Sequence, residues 1–363
     1  MDETLKVLLT LNSIGLDGRI LHSLDKYEIS TADILKEKNF LLNHNLITDK
    51  QIIKITDKLN SSWIENELTK ACNSGFKIVT CNDTEYPHQL FDLRDYPLVL
   101  YLKGDMDCLK KTSLSVVGTR RASSYAKRVA ADIGKSAAFN DALLVSGGAL
   151  GIDSCAHSGA CDDGGSTCVV MGTSPVKIFP ASNANLFSRI TEKGLLMSEF
   201  SFDSETKPWN FPKRNRIIAA LSRKLIVVEA PEKSGALITA RISMELGREV
   251  WAVPGRITDD SASGSNRLIY DGAYPYISDN YFWENTCADT SCKSVKKKNI
   301  TEELNLSVTD KAVLDFIKQN EEQTADSIAR GIPCNSSEIL ISLSILTVKG
   351  LIYKSGTGRY SAG

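Results

Sequence analysis

Nowhere in the 363 residues does an apolar run approach the ~18 needed to cross a bilayer. The opening Met-Asp-Glu-Thr-Leu-Lys lacks the basic and apolar regions of a secretory signal. The expectation is a soluble, cytoplasmic protein. An excess of charge of one sign is also missing, since 43 Lys and Arg meet 44 Asp and Glu. The whole chain therefore does not advertise a polyanionic partner, and a nucleic-acid site has to come from local clustering of cations. Histidine is scarce, with four, and none of the nine cysteines stands in a C-x-x-C pair. No zinc site is expected, and free thiols in a reducing cytosol are the plain reading. The G-x-x-x-x-G-K-[ST] pattern of a phosphate-binding loop is absent as well.

What is present has a clear order. Residues 1–80 read as short helices separated by Gly and Asn, a small helical domain with balanced charge. Tyr86-Pro87 and Tyr96-Pro97 then mark an extended lead-in to the β-rich run Leu98–Leu102. From Ser113 to Val253, short apolar strands alternate with helical stretches of roughly 10–15 residues. The strand segments are Ser113–Val117, Leu143–Ser146, Thr167–Met171, Leu195–Ser198, Leu225–Glu229 and Val250–Val253. Such alternation predicts a mainly parallel sheet with helices on both faces, an α/β Rossmann-like domain over 81–285. Lys293, Lys296, Lys297 and Lys298 sit in a polar stretch read as a linker over 286–306. Residues 307–363 then read as three helices and a β-hairpin, a winged-helix pattern. Its six basic and six acidic residues make a protein-contact role at least as good a reading as DNA binding.

In open α/β sheets, ligands bind beyond the carboxyl ends of the strands. Two Gly-bearing ends qualify: Gly118-Thr119-Arg120, and Ser146-Gly147-Gly148-Ala149 running on to Gly151-Ile152-Asp153. Glycine lets the backbone approach a phosphate, and the following helix points free N–H groups at it. The need for a tight turn explains Gly-Gly equally well. Two acid-free basic runs accompany these ends. One holds Lys110, Lys111, Arg120, Arg121, Lys127 and Arg128; the other holds Lys207, Lys213, Arg214, Arg216, Arg223 and Lys224. A solvated helix face is the ordinary account of such runs. However, the second also carries Trp209 and Phe211, and aromatics among cations are what single strands stack on. Catalytic groups are poor. His157 follows Asp153 by four residues, a spacing that a capping Asp and a structural His satisfy.

Taken in order, these pieces resemble the DNA-processing protein A (DprA/Smf) family. The resemblance runs through Val117-Gly118-Thr119-Arg120, Ser146-Gly147-Gly148-Ala149, Phe211-Pro212-Lys213-Arg214-Asn215-Arg216, Ser234-Gly235-Ala236-Leu237, Val253-Pro254-Gly255 and Gly264-x-Asn266. It implies an extended Rossmann-like domain that binds single-stranded DNA without sequence preference. A helical (SAM- or helix-hairpin-helix-like) domain would precede it and a winged helix would follow. It also implies a homodimer, no cofactor, no catalysis, and delivery of the strand to the RecA recombinase in DNA uptake and recombination. The DNA-contacting set carried over is Gly118, Thr119, Arg120, Ser146, Gly147, Gly148, Ala149, Lys207, Phe211, Lys213, Arg214, Asn215 and Asn266. One departure is Ala220, where the family commonly has Gly before Leu221.

Two other classes compete. A nucleotide-phosphate hydrolase of the lysine-decarboxylase-like group would share the sheet, but its P-G-G-x-G-T run is absent and Val253-Pro254-Gly255-Arg256 diverges from it. A transcription regulator built on the winged helix is opposed by that domain's zero net charge.

Overall fold

The computed structural model describes residues 2–284, 307–320, 323–348, 351–354 and 359–362. The chain divides into two compact units, Met1–Thr286 and Cys287–Gly363. The lysine-bearing stretch over 286–306 expected to act as a linker lies outside the described residues.

The first unit is built on a nine-stranded sheet. Its strands are β1 (Lys77–Thr80), β2 (Val99–Gly104), β3 (Ser113–Val117), β4 (Leu143–Ser146), β5 (Thr167–Met171), β6 (Leu195–Ser198), β7 (Lys224–Val227), β8 (Glu249–Ala252) and β9 (Tyr274–Pro275). They lie in the order β1-β2-β6-β5-β4-β3-β7-β8-β9. The pairings from β6 through to β9 are parallel, and β2 runs antiparallel to both β1 and β6. Strands β4, β5, β6 and β7 are buried at every position. That is why they read as continuous apolar runs rather than alternating ones. Chain order leads outward from β3 through β4 and β5 to β6, then restarts on the other side with β7. The direction reverses between β3 and β7, the place where such sheets open a crevice for a ligand.

Five helices, α1 (Glu3–Ser13), α2 (Gly18–Lys26), α3 (Lys38–Asn43), α4 (Asp49–Leu59) and α5 (Trp63–Asn73), precede the sheet. They share its core. Val7, Leu8, Leu9 and Leu11 are buried in one cluster with Val99–Leu102. Asn12 fastens the join, donating to the Glu199 carbonyl at 2.7 Å and accepting from the Val99 N–H at 3.3 Å. The sheet begins earlier than the sequence pattern indicates. Lys77–Thr80, read above as the tail of the helical region, is an edge strand. Gly75, at φ +69°, turns the chain after α5, and four residues are too few to show a period of two.

Helices α6 (Ser124–Phe139), α7 (Ile152–Asp162), α8 (Ala184–Lys193), α9 (Asn210–Leu221), α10 (Gly235–Glu245), α11 (Ser263–Tyr270) and α12 (Asp279–Glu284) complete the first unit. The second unit holds α13 (Val308–Asn320), α14 (Ala325–Gly331) and α15 (Ser336–Val348) with a small sheet of order β10-β12-β11. Those strands are β10 (Gln323–Thr324), β11 (Ile352–Lys354) and β12 (Arg359–Ala362). Val313, Leu314, Ile317, Ile328, Ile339, Leu343 and Leu346 form its core. No helix among the described residues is long and apolar enough to cross a membrane.

Candidate nucleic-acid interface

The loops leaving β3, β4 and β5 meet at one edge of the sheet. A Cβ on Gly151, whose φ is +80°, would stand 2.4 Å from the Thr119 carbonyl, so only glycine lets the β4 loop lie on the β3 loop. The β5 end works the same way. A Cβ on Gly172 would lie 2.7 Å from Cδ1 of Phe211, so only glycine lets that ring come this close to the strand end. The guanidinium of Arg120 then stands 5.6 Å from the centre of the Phe211 ring, within cation–π range. The ring of Phe179 lies 5.3 Å from that of Phe211, centre to centre, tilted by 46°.

Beneath this surface lie two buried groups of opposite charge. Arg214 is 4% exposed. Its guanidinium donates to the carbonyls of Gly147, at 2.7 Å, and Val170. Asp153 is buried beside it and accepts the N–H groups of Gly147 and Ala149 at 3.2 and 3.3 Å. Burial raises the Asp153 carboxyl above its ordinary value, with Arg214 opposing the shift. Burial likewise draws Arg214 down to about 10, so it stays charged near neutrality. His157 lies deeper. The Thr167 hydroxyl donates to the Leu144 carbonyl, so the 2.6 Å contact assigns the proton to Nδ1 of His157. Burial and then Arg214 lower this imidazole to about 3, a neutral structural group.

These facts show what the residues of the expected site already hold. The Gly147–Ala149 turn was expected to cradle a phosphate, but the carboxylate of Asp153 already takes two of its N–H groups. Ser146 is fully buried and its hydroxyl donates to the Val116 carbonyl at 2.6 Å. Arg214 lies under the surface rather than on it, because the carbonyl ends of β4 and β5 converge on its guanidinium. The crevice between β3 and β7 is occupied in the same way. Glu229 accepts the Ser123 N–H ahead of α6 at 2.8 Å and the Ser261 hydroxyl at 2.9 Å. Both places where a Rossmann sheet would hold a nucleotide phosphate therefore carry the protein's own carboxylate.

The remaining predicted residues divide. Gly118, Thr119, Arg120, Gly148 and Phe211 lie at the shared edge with Gly147 and Ala149. Arg120 and Arg121 in the loop after β3 are exposed, as are Lys127 and Arg128 in the first turns of α6. None of these four enters an ion pair among the described residues. Lys213 instead leans toward Glu199, 3.8 Å away, which also holds Arg216 at 2.5 Å. Lys207 is paired with Glu205 at 3.2 Å and stands 5.4 Å from the ring of Trp209, which is 64% exposed. Asn215 donates to the Gly235 carbonyl at 3.3 Å. Asn266 spends both ends of its amide on the backbone of Gly255, at 3.0 and 3.1 Å. Sequence reasoning missed Gly172 and Phe179. The first left a legible signal, as a third glycine directly after a strand; the second, alone in a loop, left none.

The fold and this edge define a Rossmann-like protein whose ligand face offers cations and aromatic rings in place of an open nucleotide cradle. The chain belongs to the DNA recombination-mediator protein A family, whose profile matches residues 77–286. It is 41% identical over 192 residues to the DNA processing protein DprA of Streptococcus pneumoniae, covering 53% of this chain and 67% of that one. Against Bacillus subtilis DprA it is 38% identical over 200 residues, with shares of 55% and 67%. Against Protein Smf of Synechocystis it is 38% identical over 208 residues, 56% of this chain and about half, 52%, of the relative. Among solved structures, S. pneumoniae DprA superposes with a TM-score of 0.65 at 29% identity, covering 78% of this chain and 98% of that one. Helicobacter pylori DprA, described for its single-stranded DNA binding mode, gives 0.54 at 30%, covering 59% and 97%.

Proposed function

We propose that this chain binds single-stranded DNA without sequence preference, by contact and not by catalysis, and helps load RecA recombinase onto it during DNA uptake and recombination. The carrying observation is the Arg120–Phe211–Phe179 cluster at the carboxyl ends of β3 and β5. Unpaired bases stack on the rings, while Arg120, Arg121, Lys127 and Arg128 follow the backbone. Arginine can grip a phosphate with two parallel hydrogen bonds. The bases of a duplex are stacked on one another and do not reach the rings. The hydrolase reading has less support, since Asp153 and Glu229 fill the phosphate positions and His157 is buried and neutral. Loading of RecA, with a cytoplasmic homodimer as the working form, draws its support from the family and from the H. pylori relative's single-strand binding.

The test is an equilibrium titration of the full chain with a thymidine oligomer and with a duplex of equal length, repeated over salt. The single strand is expected to bind more tightly, with affinity falling with salt at a log–log slope of about −0.7 per phosphate neutralised. Equal binding of both, or an affinity indifferent to salt, would contradict the proposal. RecA filament formation on the same strand, followed with and without the chain, tests the loading step.

A further inference from the structure

Phe179 is 45% exposed and lies outside the hydrophobic clusters, although its neighbour Ile178 packs against the main one. Its aromatic neighbour is Phe211. The loop that carries it is nonetheless held in place. At one end the Thr173 hydroxyl donates to the Lys177 carbonyl at 2.5 Å. At the other, Asn183 donates to the Gly148 carbonyl at 3.0 Å, tying the loop to the glycine turn of the site. The ring is thereby set beside Phe211, centre to centre at 5.3 Å. Exposed Lys177 stands two residues before it.

We propose that Phe179 is a second base-stacking residue, forming with Phe211 a two-step platform that takes successive unpaired nucleobases. The inference rests on the reading that this edge binds single-stranded DNA. The rings are tilted by 46°, so one flat base cannot lie on both, and successive bases are taken one to a ring. Arg120 backs Phe211 and supplies the charge for the phosphate between them. Because every base has a π-face, such a platform is indifferent to sequence.

The test uses the full-length protein and two strands of equal length, one of thymidines and one of abasic deoxyribose phosphate. Loss of one stacked base costs ~1–3 kcal/mol, so Phe179→Ala is expected to weaken thymidine binding about five- to 150-fold. Phe179→Trp is expected to restore it. The slope of affinity against salt should not move, because no charge changes. Abasic strand should bind wild type and Phe179→Ala alike. Phe179→Leu keeps an apolar side chain without a π-face, and its melting temperature shows whether the fold is intact. If Phe179→Leu is folded and binds thymidines as wild type does, while Phe211→Ala and Arg120→Ala lose affinity, the Phe179 assignment falls and the site stands. If wild type fails to bind the thymidine strand at all, both fall.

Discussion

Arg120 and Arg214 lie near enough for the charge of the first to oppose that of the second, yet their surroundings give them separate tasks. Arg214 is enclosed and answers Asp153, so its removal leaves a buried carboxylate without a counterion. Arg214→Ala is expected to cost about 3–5 kcal/mol of folding stability, measured by chemical denaturation. Arg120→Ala removes a solvated side chain and should change stability by no more than about 0.5 kcal/mol. It should weaken single-strand binding and reduce the salt slope by about 0.7. His157 gives a prediction in pH. Its folded value, about 3 against an ordinary 6.5, means the unfolded chain takes up the proton first. The stabilising contribution of the neutral ring is complete above the unfolded value and declines as pH falls from 6.5 toward 3. The decline amounts to at most ~1.4 kcal/mol per pH unit. Denaturation curves over that range should be flatter in His157→Asn, by up to this amount, than in wild type.

Strand ends decide what the elements can present. Gly172 closes β5 and lets Phe211, from the first turn of α9, come close to it. Gly172→Ala would push Phe211 off its seat without altering any charge. The expected result is a loss of single-strand affinity of about fivefold or more, with an unchanged salt slope, read by the same titration. The glycines after β3 and β4 were legible because they interrupt apolar runs at the carboxyl ends of strands, and so was the sheet itself. The roles around them were less so. Nothing in the spacing of Arg214 tells that the carbonyls of Gly147 and Val170 will enclose it, since burial of this cation is settled by two strand ends far from it in sequence. Asp153 read as a helix cap, whereas its carboxylate turned back on the glycine turn. Phe179 needed a loop of twelve residues to return to the site.

Considered whole, the molecule concentrates its chemistry in a few loops of a chain whose charges otherwise balance. Those loops, from Gly118 to Glu229, all lie within the unit Met1–Thr286. A protein ending after residue 286 should therefore keep the single-strand affinity of the full chain when the two are titrated side by side. The most direct test of the central claim is to crosslink a bromodeoxyuridine-substituted single strand to the full chain and map the adducts by mass spectrometry. The account predicts adducts on the Phe211 and Phe179 segments, lost on competition with unmodified single strand and retained with excess duplex. Adducts confined to residues 307–363, or removed equally well by duplex, would contradict it.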